Sequence, residues 1–247
     1  MGSRITASVL SLIVLGALWE LLAGVVDSRL LPAPSTVFAA MAAESSSGAL
    51  PYHVAITLLR VAAAFVLAMA IGVAVGLAMG RSALVDKVFD GWLVLLLNLP
   101  ALVIVILFYV WFGLTEVAAV AAVAVNKIPT VVVTVREGAR ALDPDYLAVA
   151  RVFRFGRMRT LRHVIAPQMT PYVVAAARSG LSLIWKIVLV VELLGRSDGV
   201  GFQLSLFFQL FDVTMILAYT LAFVIVIQLL EFGIMQPLER RAARWRQ

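Results

Sequence analysis

Six stretches of this chain are long and apolar enough to cross a lipid bilayer as helix: residues 7–26, 54–80, 91–112, 117–135, 172–194 and 213–235. A hydrocarbon core of about 30 Å takes roughly 20 residues of helix, and inside it no water is present to satisfy a bare backbone. Composition agrees, with 63% of residues hydrophobic and 14% charged, against roughly 45–50% and about 25% in soluble proteins. A soluble fold of 247 residues could not hide so much apolar side chain. The expectation is an all-α membrane protein, a polytopic bundle of about six transmembrane helices forming a single domain over 1–247.

Other classes fall away quickly. There is no cysteine, and His53 and His163 stand alone, so neither a disulfide framework nor a metal site is expected. The net charge of +6 does not imply nucleic acid, because the arginines abut apolar spans. The first span reads as an uncleaved anchor, since its apolar run exceeds the roughly 7–15 residues of a signal-peptide core. Residues 27–53 read as a loop with one short helix, from the prolines of Leu31-Pro32-Ala33-Pro34-Ser35 and the cluster Ser45-Ser46-Ser47-Gly48. Asn98-Leu99-Pro100 and Asn126-Lys127-Ile128-Pro129 should interrupt the third and fourth spans. Gly72, Gly76 and Gly80 form a small-residue row suited to close helix packing. Residues 195–211, mixed polar and aromatic, should lie at the membrane interface.

Arginine sets the orientation. Arg136, Arg140, Arg151, Arg154, Arg157, Arg159 and Arg162 lie between the fourth and fifth spans, and Arg240, Arg241, Arg244 and Arg246 follow the sixth. Segments 27–53, 113–116 and 195–212 hold only Arg29 and Arg196. The positive-inside rule makes the arginine-rich segments, and with them both termini, cytoplasmic. Residues 1–53 are then an N-terminal span and outer loop, 54–235 the core bundle and 236–247 a basic tail.

The cytoplasmic segment 136–171 is the most informative. Asp143 reads as an N-cap with Pro144 at the first helical position. The helix should run to Phe155, break at Gly156, and be followed by a basic helix over 157–164 that ends before Pro167. Such a helix–break–helix suits docking into a partner's groove, although a plain charged cap would also satisfy the topology. No G-x-x-x-x-G-K-[ST], H-E-x-x-H or G-x-S-x-G motif is present, so any energy for transport must come from another polypeptide.

This segment resembles the cytoplasmic loop of bacterial ABC-importer permease subunits, which carry E-A-A-x3-G-x9-I-x-L-P. Anchored on Pro167, that pattern falls on Ala148, Val149, Ala150, Arg154, Val164, Ala166 and Pro167. Ala150 and Pro167 match, Val164 is conservative, and Ala148, Val149, Arg154 and Ala166 depart, leaving Gly156 to supply the turn. Leu31-Pro32-Ala33-Pro34-Ser35, Thr57-Leu58-Leu59-Arg60 and Trp185-Lys186 through Glu192-Leu193-Leu194 look like the nitrate/sulfonate/taurine branch. The resemblance implies a pore of two permease copies and two cytoplasmic subunits that use ATP and magnesium. It also implies a periplasmic binding protein that delivers the solute, in a bacterial inner membrane, with no cofactor on this chain and no catalysis by it. The docking loop would comprise Asp145, Ala148, Val149, Ala150, Arg151, Arg154, Gly156 and Pro167, and the glycine row would pack the two copies together. An ion-driven carrier would more often show inverted repeats, and a scaffold would not need lysines at mid-membrane.

Charge inside a span normally faces a cavity or a partner. Arg178, Ser182, Lys186 and Glu192 share about a third of a helical circumference, and Lys127 lies near the middle of the fourth span. With Asn98 and Asn126 beside prolines, they make a candidate translocation path for a small anion. The alternatives are a structural Lys186–Glu192 pair and a Lys127 bonded to backbone carbonyls. Arg60, at the outer end of the second span, is expected to bind a loop rather than guide solute.

Overall fold

The computed structural model describes residues 2–235 and 237. Among them every regular element is helical: α1 (Gly2–Val26), α2 (Pro34–Ser47), α3 (Ala49–Arg81), α4 (Ala83–Asn98), α5 (Ala101–Phe112), α6 (Glu116–Arg140), α7 (Pro144–Val152), α8 (Arg157–Thr160), α9 (Ala166–Gly195), α10 (Val200–Gln209) and α11 (Val213–Leu230). The basic tail, with Arg240, Arg241, Arg244 and Arg246, lies outside the described residues. Four helices span on length and composition alone, the pair α4–α5 makes a fifth, and α1 is apolar over Leu10–Val26. Four to five candidate spans, with apolar α1 in addition, agree approximately with the expected bundle of about six.

The described residues form two compact units, 2–57 with 192–227 and 58–191 with 228–235. In the first, α1 is apolar all round and leaves Leu12, Leu15, Leu21 and Leu22 exposed, as suits a lipid-facing helix. Its Trp19 Nε1 donates to the Pro32 carbonyl at 3.1 Å, and the Glu20 carboxylate accepts from Ser35 N (3.1 Å) and Oγ (2.7 Å). An acid thus meets the orphan N–H groups that open α2, whose first residue is Pro34. The outer loop does carry a short helix, but α3 begins at Ala49, several residues before the expected 54.

The second unit explains the glycine row. A Cβ on Gly72 would meet Val131 Cβ at 2.6 Å, one on Gly76 would meet the Val132 carbonyl oxygen at 2.8 Å, and one on Gly80 would meet the Arg136 carbonyl oxygen at 2.7 Å. The row therefore seats α6 against α3 within one chain, and the expectation that it joins two copies is corrected. Small residues are what let two backbones come this close. The core between α3, α5, α6 and α9 is apolar, including Val61, Val105, Ala122 and Ile184. At the far end of the pair, buried Arg60 of α3 grips Glu116 in the first turn of α6, with Nε to Oε1 at 2.7 Å. Arg60 thus binds the start of a neighbouring helix, where a loop was expected.

Prolines act differently at different places. At Asn98-Leu99-Pro100 the helix breaks and α4 and α5 meet at 98°, because the residue before proline is pushed from helical geometry; Leu99 has ψ 126°. The fourth span, by contrast, is not interrupted: α6 runs unbroken through Pro129. Proline removes one ladder bond, and neighbouring hydroxyls occupy nearby carbonyls, Thr130 on Lys127 O (2.8 Å) and Thr134 on Thr130 O (3.0 Å). The basic helix expected to stop before Pro167 also continues. Arg157–Gly195 is one run of 39 residues, with a π turn at Leu161–Ile165 just ahead of Pro167. Such a wider turn accommodates a disturbed ladder.

Candidate translocation path and docking face

Lys127 sits near the middle of α6 with only 3% of its surface exposed. Gly180 of α9 makes room for its stem; a Cβ there would lie 3.4 Å from Lys127 Cε. Among the described residues its ammonium makes neither an ion pair nor a hydrogen bond, so the backbone-carbonyl alternative finds no support. Asn126 is half-buried beside it. Asn98 is exposed, and its Nδ2 donates to Val94 O of its own helix at 2.7 Å, closing the end of α4.

The polar stripe expected on the fifth span divides. Arg178, Ser182 and Lys186 are exposed on α9. Arg178 pairs with Glu231 at 3.5 Å, the Ser182 hydroxyl donates to Ser179 O, and the Lys186 ammonium lies 5.4 Å from the Trp185 ring centre. Glu192 is fully buried and is not part of this open face. Its Oε2 accepts from the Thr57 hydroxyl at 2.9 Å and from Gly201 N at 2.8 Å. The stripe and the Lys186–Glu192 pairing are both corrected, because angle about a helix axis does not tell what each side chain meets.

Glu192 instead organises the first turn of α10. Thr57 Oγ1 accepts from Val200 N at 2.8 Å, and Gly199 N donates to His53 Nδ1 at 3.0 Å. The other ring nitrogen of His53, Nε2, lies 2.6 Å from the side-chain amide nitrogen of Gln203 in α10. Gly199 has φ 102°, and a Cβ there would collide with the Glu192 carboxyl group. Only glycine fits. Neither Gly199 nor His53 was singled out from the sequence, although Gly199-Val200-Gly201, seven residues past Glu192, was the available signal.

On α7, Asp143 is the N-cap, its side chain accepting from Asp145 N at 2.8 Å. The helix ends at Val152, short of the expected Phe155, in a Schellman closure. Arg154 N donates to Arg151 O (3.0 Å) and Phe155 N to Ala150 O (2.9 Å), with Arg154 left-handed at φ 50°. The turn is therefore made by Arg154, the residue at the pattern's glycine, and not by Gly156, which is extended at φ −64°. Ala150 points inward, 2% exposed. Asp145, Ala148, Val149, Arg151 and Pro167 are exposed. Tyr146, Val149 and Phe153, spaced i, i+3, i+7, present an apolar outward face whose aromatic members the pattern did not point to.

A spanning bundle with an apolar-tipped helix in an arginine-rich segment outside its spans matches a family model: residues 68–242 fit the binding-protein-dependent transport system inner membrane component. The chain belongs to this family. It is thus the membrane permease of such a transport system, held in the inner membrane by several spans. This permease is 30% identical to SsuC of Bacillus subtilis (strain 168), named as an aliphatic sulfonates transport permease, over 93% of this chain and 84% of that protein. It is 25% identical to the taurine transport system permease TauC of Escherichia coli (strain K12), over 99% and 91%. The nitrate import permease NrtB of Synechococcus elongatus is 24% identical over 75% and 70%. Among solved structures, a chain of the MetNI methionine ABC transporter in an inward-facing conformation has TM-score 0.64 at 17% identity, over 75% of this permease and 92% of that chain. That likeness concerns the fold.

Proposed function

We propose that this permease imports a small oxyanion of the sulfonate, taurine or nitrate class. It works as a homodimer with two cytoplasmic ATPase subunits, which use ATP and magnesium, and a periplasmic binding protein. Both termini are cytoplasmic, as the arginine distribution suggests. The observation that carries the reading is Lys127, a mid-span lysine only 3% exposed whose ammonium makes no ion pair or hydrogen bond among the described residues. A cation left so is costly unless an anion visits it. Exposed Lys186 on α9, which makes no ion pair among the described residues, would add positive potential along the way, whereas Arg178 is offset by Glu231. Relatives named for aliphatic sulfonates, taurine and nitrate, solutes that each carry an oxyanionic group, support the same class.

The test is uptake of taurine, an alkanesulfonate, nitrate and a neutral analogue by cells carrying the whole transporter. Lys127→Met should lower anion uptake by roughly ten- to hundred-fold, the scale of losing a hydrogen bond to a charged group. Its membrane abundance should stay unchanged, and Lys127→Arg should retain part of the activity. Undiminished anion uptake by Lys127→Met, or preference for the neutral solute, would reject the proposal.

A further inference from the structure

The inward side of α7 closes over a cavity of about 340 Å³ lined by Arg81, Leu147, Ala150, Arg151, Phe155 and Thr160. Its two charges are both guanidinium groups, and no carboxylate lines it. Nearby, Arg136 and Arg140 do find acids: Arg136 reaches Asp90 at 2.6 Å and Arg140 reaches Asp86 at 2.6 Å. Arg81 and Arg151 form no ion pair among the described residues, and Arg151 Nε only touches Leu147 O of its own helix at 3.4 Å. Two unpaired forks facing one cavity call for an oxyanion, since guanidinium matches phosphate oxygens in geometry and charge.

The depth of the cavity says which oxyanion. Arg81 is the last residue of α3, a spanning helix, and so lies where hydrocarbon gives way to headgroups. The remaining lining is largely apolar, Leu147, Ala150 and Phe155, and the Phe155 ring is itself covered by the Arg159 guanidinium at 4.2 Å. A basic pocket with an apolar floor at this level suits an amphiphile with a phosphate head. A protein partner is the poorer fit, because Ala150 is buried on this side and the exposed apolar face of α7 points the other way. We propose that Arg81 and Arg151 hold the phosphate of an anionic phospholipid beneath α7, so that a lipid headgroup becomes part of the seat of the docking helix.

The experiment uses the full chain extracted from membranes in mild detergent, with bound lipids counted by native mass spectrometry during titration with phosphatidylglycerol or phosphatidylcholine. The wild type should retain phosphatidylglycerol in preference. Arg81→Gln with Arg151→Gln should weaken that retention about five-fold per arginine, roughly twenty-five-fold together. Arg157→Gln with Arg162→Gln removes the same charge outside the cavity and should leave it unchanged. Arg81→Lys with Arg151→Lys keeps the charge and should keep most of the binding, which guards against loss of fold in the glutamine pair. Equal weakening by the two glutamine pairs, or no preference for the anionic lipid, would overturn the proposal. Protection of the chain by inorganic phosphate but not by phosphatidylglycerol would reassign the site to a free anion and likewise overturn the lipid assignment.

Discussion

The Thr57 hydroxyl and the Glu192 carboxylate meet at 2.9 Å with neither residue exposed to solvent. The same hydroxyl oxygen accepts from Val200 N, so the threonine links the acid to the helix that follows it. Thr57→Val keeps the shape and removes the hydroxyl, leaving the acid and a backbone N–H each short of a partner. The expected loss is about 1–3 kcal/mol, read as a lower melting temperature in detergent. Thr57→Ser should restore most of it; an unchanged melt for the valine variant would show that the link contributes nothing.

Arg154 occupies a left-handed conformation at the Schellman closure of α7. An L side chain there costs roughly 1–2 kcal/mol that glycine avoids. Arg154→Gly should therefore raise thermal stability by up to about 1 kcal/mol, after glycine's larger unfolded-state entropy is subtracted. Arg154→Val, β-branched at the same place, should lower it. A glycine variant less stable than the valine one would mean that the arginine side chain, not its backbone, holds the turn.

Gly76→Ala would drive a methyl group to 2.8 Å from the Val132 carbonyl oxygen and from Val135 Cβ. Both α3 and α6 must move apart, and overpacking of this kind costs about 1–3 kcal/mol. Gly91→Ala, where nothing lies within 4 Å, is the control and should be neutral or slightly stabilising. Cross-linking between two copies through position 76 should fail, because α6 already covers it.

On α7 the two alanine-pattern neighbours part company. Val149→Glu places a charge on the exposed apolar face and should leave the chain folded while abolishing solute-stimulated ATP hydrolysis by the assembled transporter. Ala150→Glu buries the charge beneath α7 and should lower the amount of folded permease before any coupling is measured. Equal membrane levels for both variants would refute the inward placement of Ala150.

The spans were legible because twenty apolar residues in a row have few other uses. The bend at Pro100 was legible too, since the preceding residue loses helical geometry. Pro129 misled because proline breaks a helix only where the lost bond cannot be absorbed, and neighbouring Thr130 and Thr134 lie inside a packed bundle. The glycine row signalled close packing without saying which helix would come close. Glu192 looked like a member of a stripe, since a wheel places it by angle alone; its neighbours Thr57 and Gly201 come from other turns of the chain. Arg154 hid the turn because the residue type argued against the conformation it adopts.

The unbroken run from Arg157 to Gly195 is a rod of 39 residues, about 58 Å long. A rod turns a small angle into a large displacement. Tilting it by about 10° around its centre would carry each end roughly 5 Å in opposite directions. Four residues, Phe153 to Gly156, join α7 to that rod, and Gly180 beside Lys127 lies along it. Leverage applied at α7 would reach the buried lysine through that linker and the five-residue π turn.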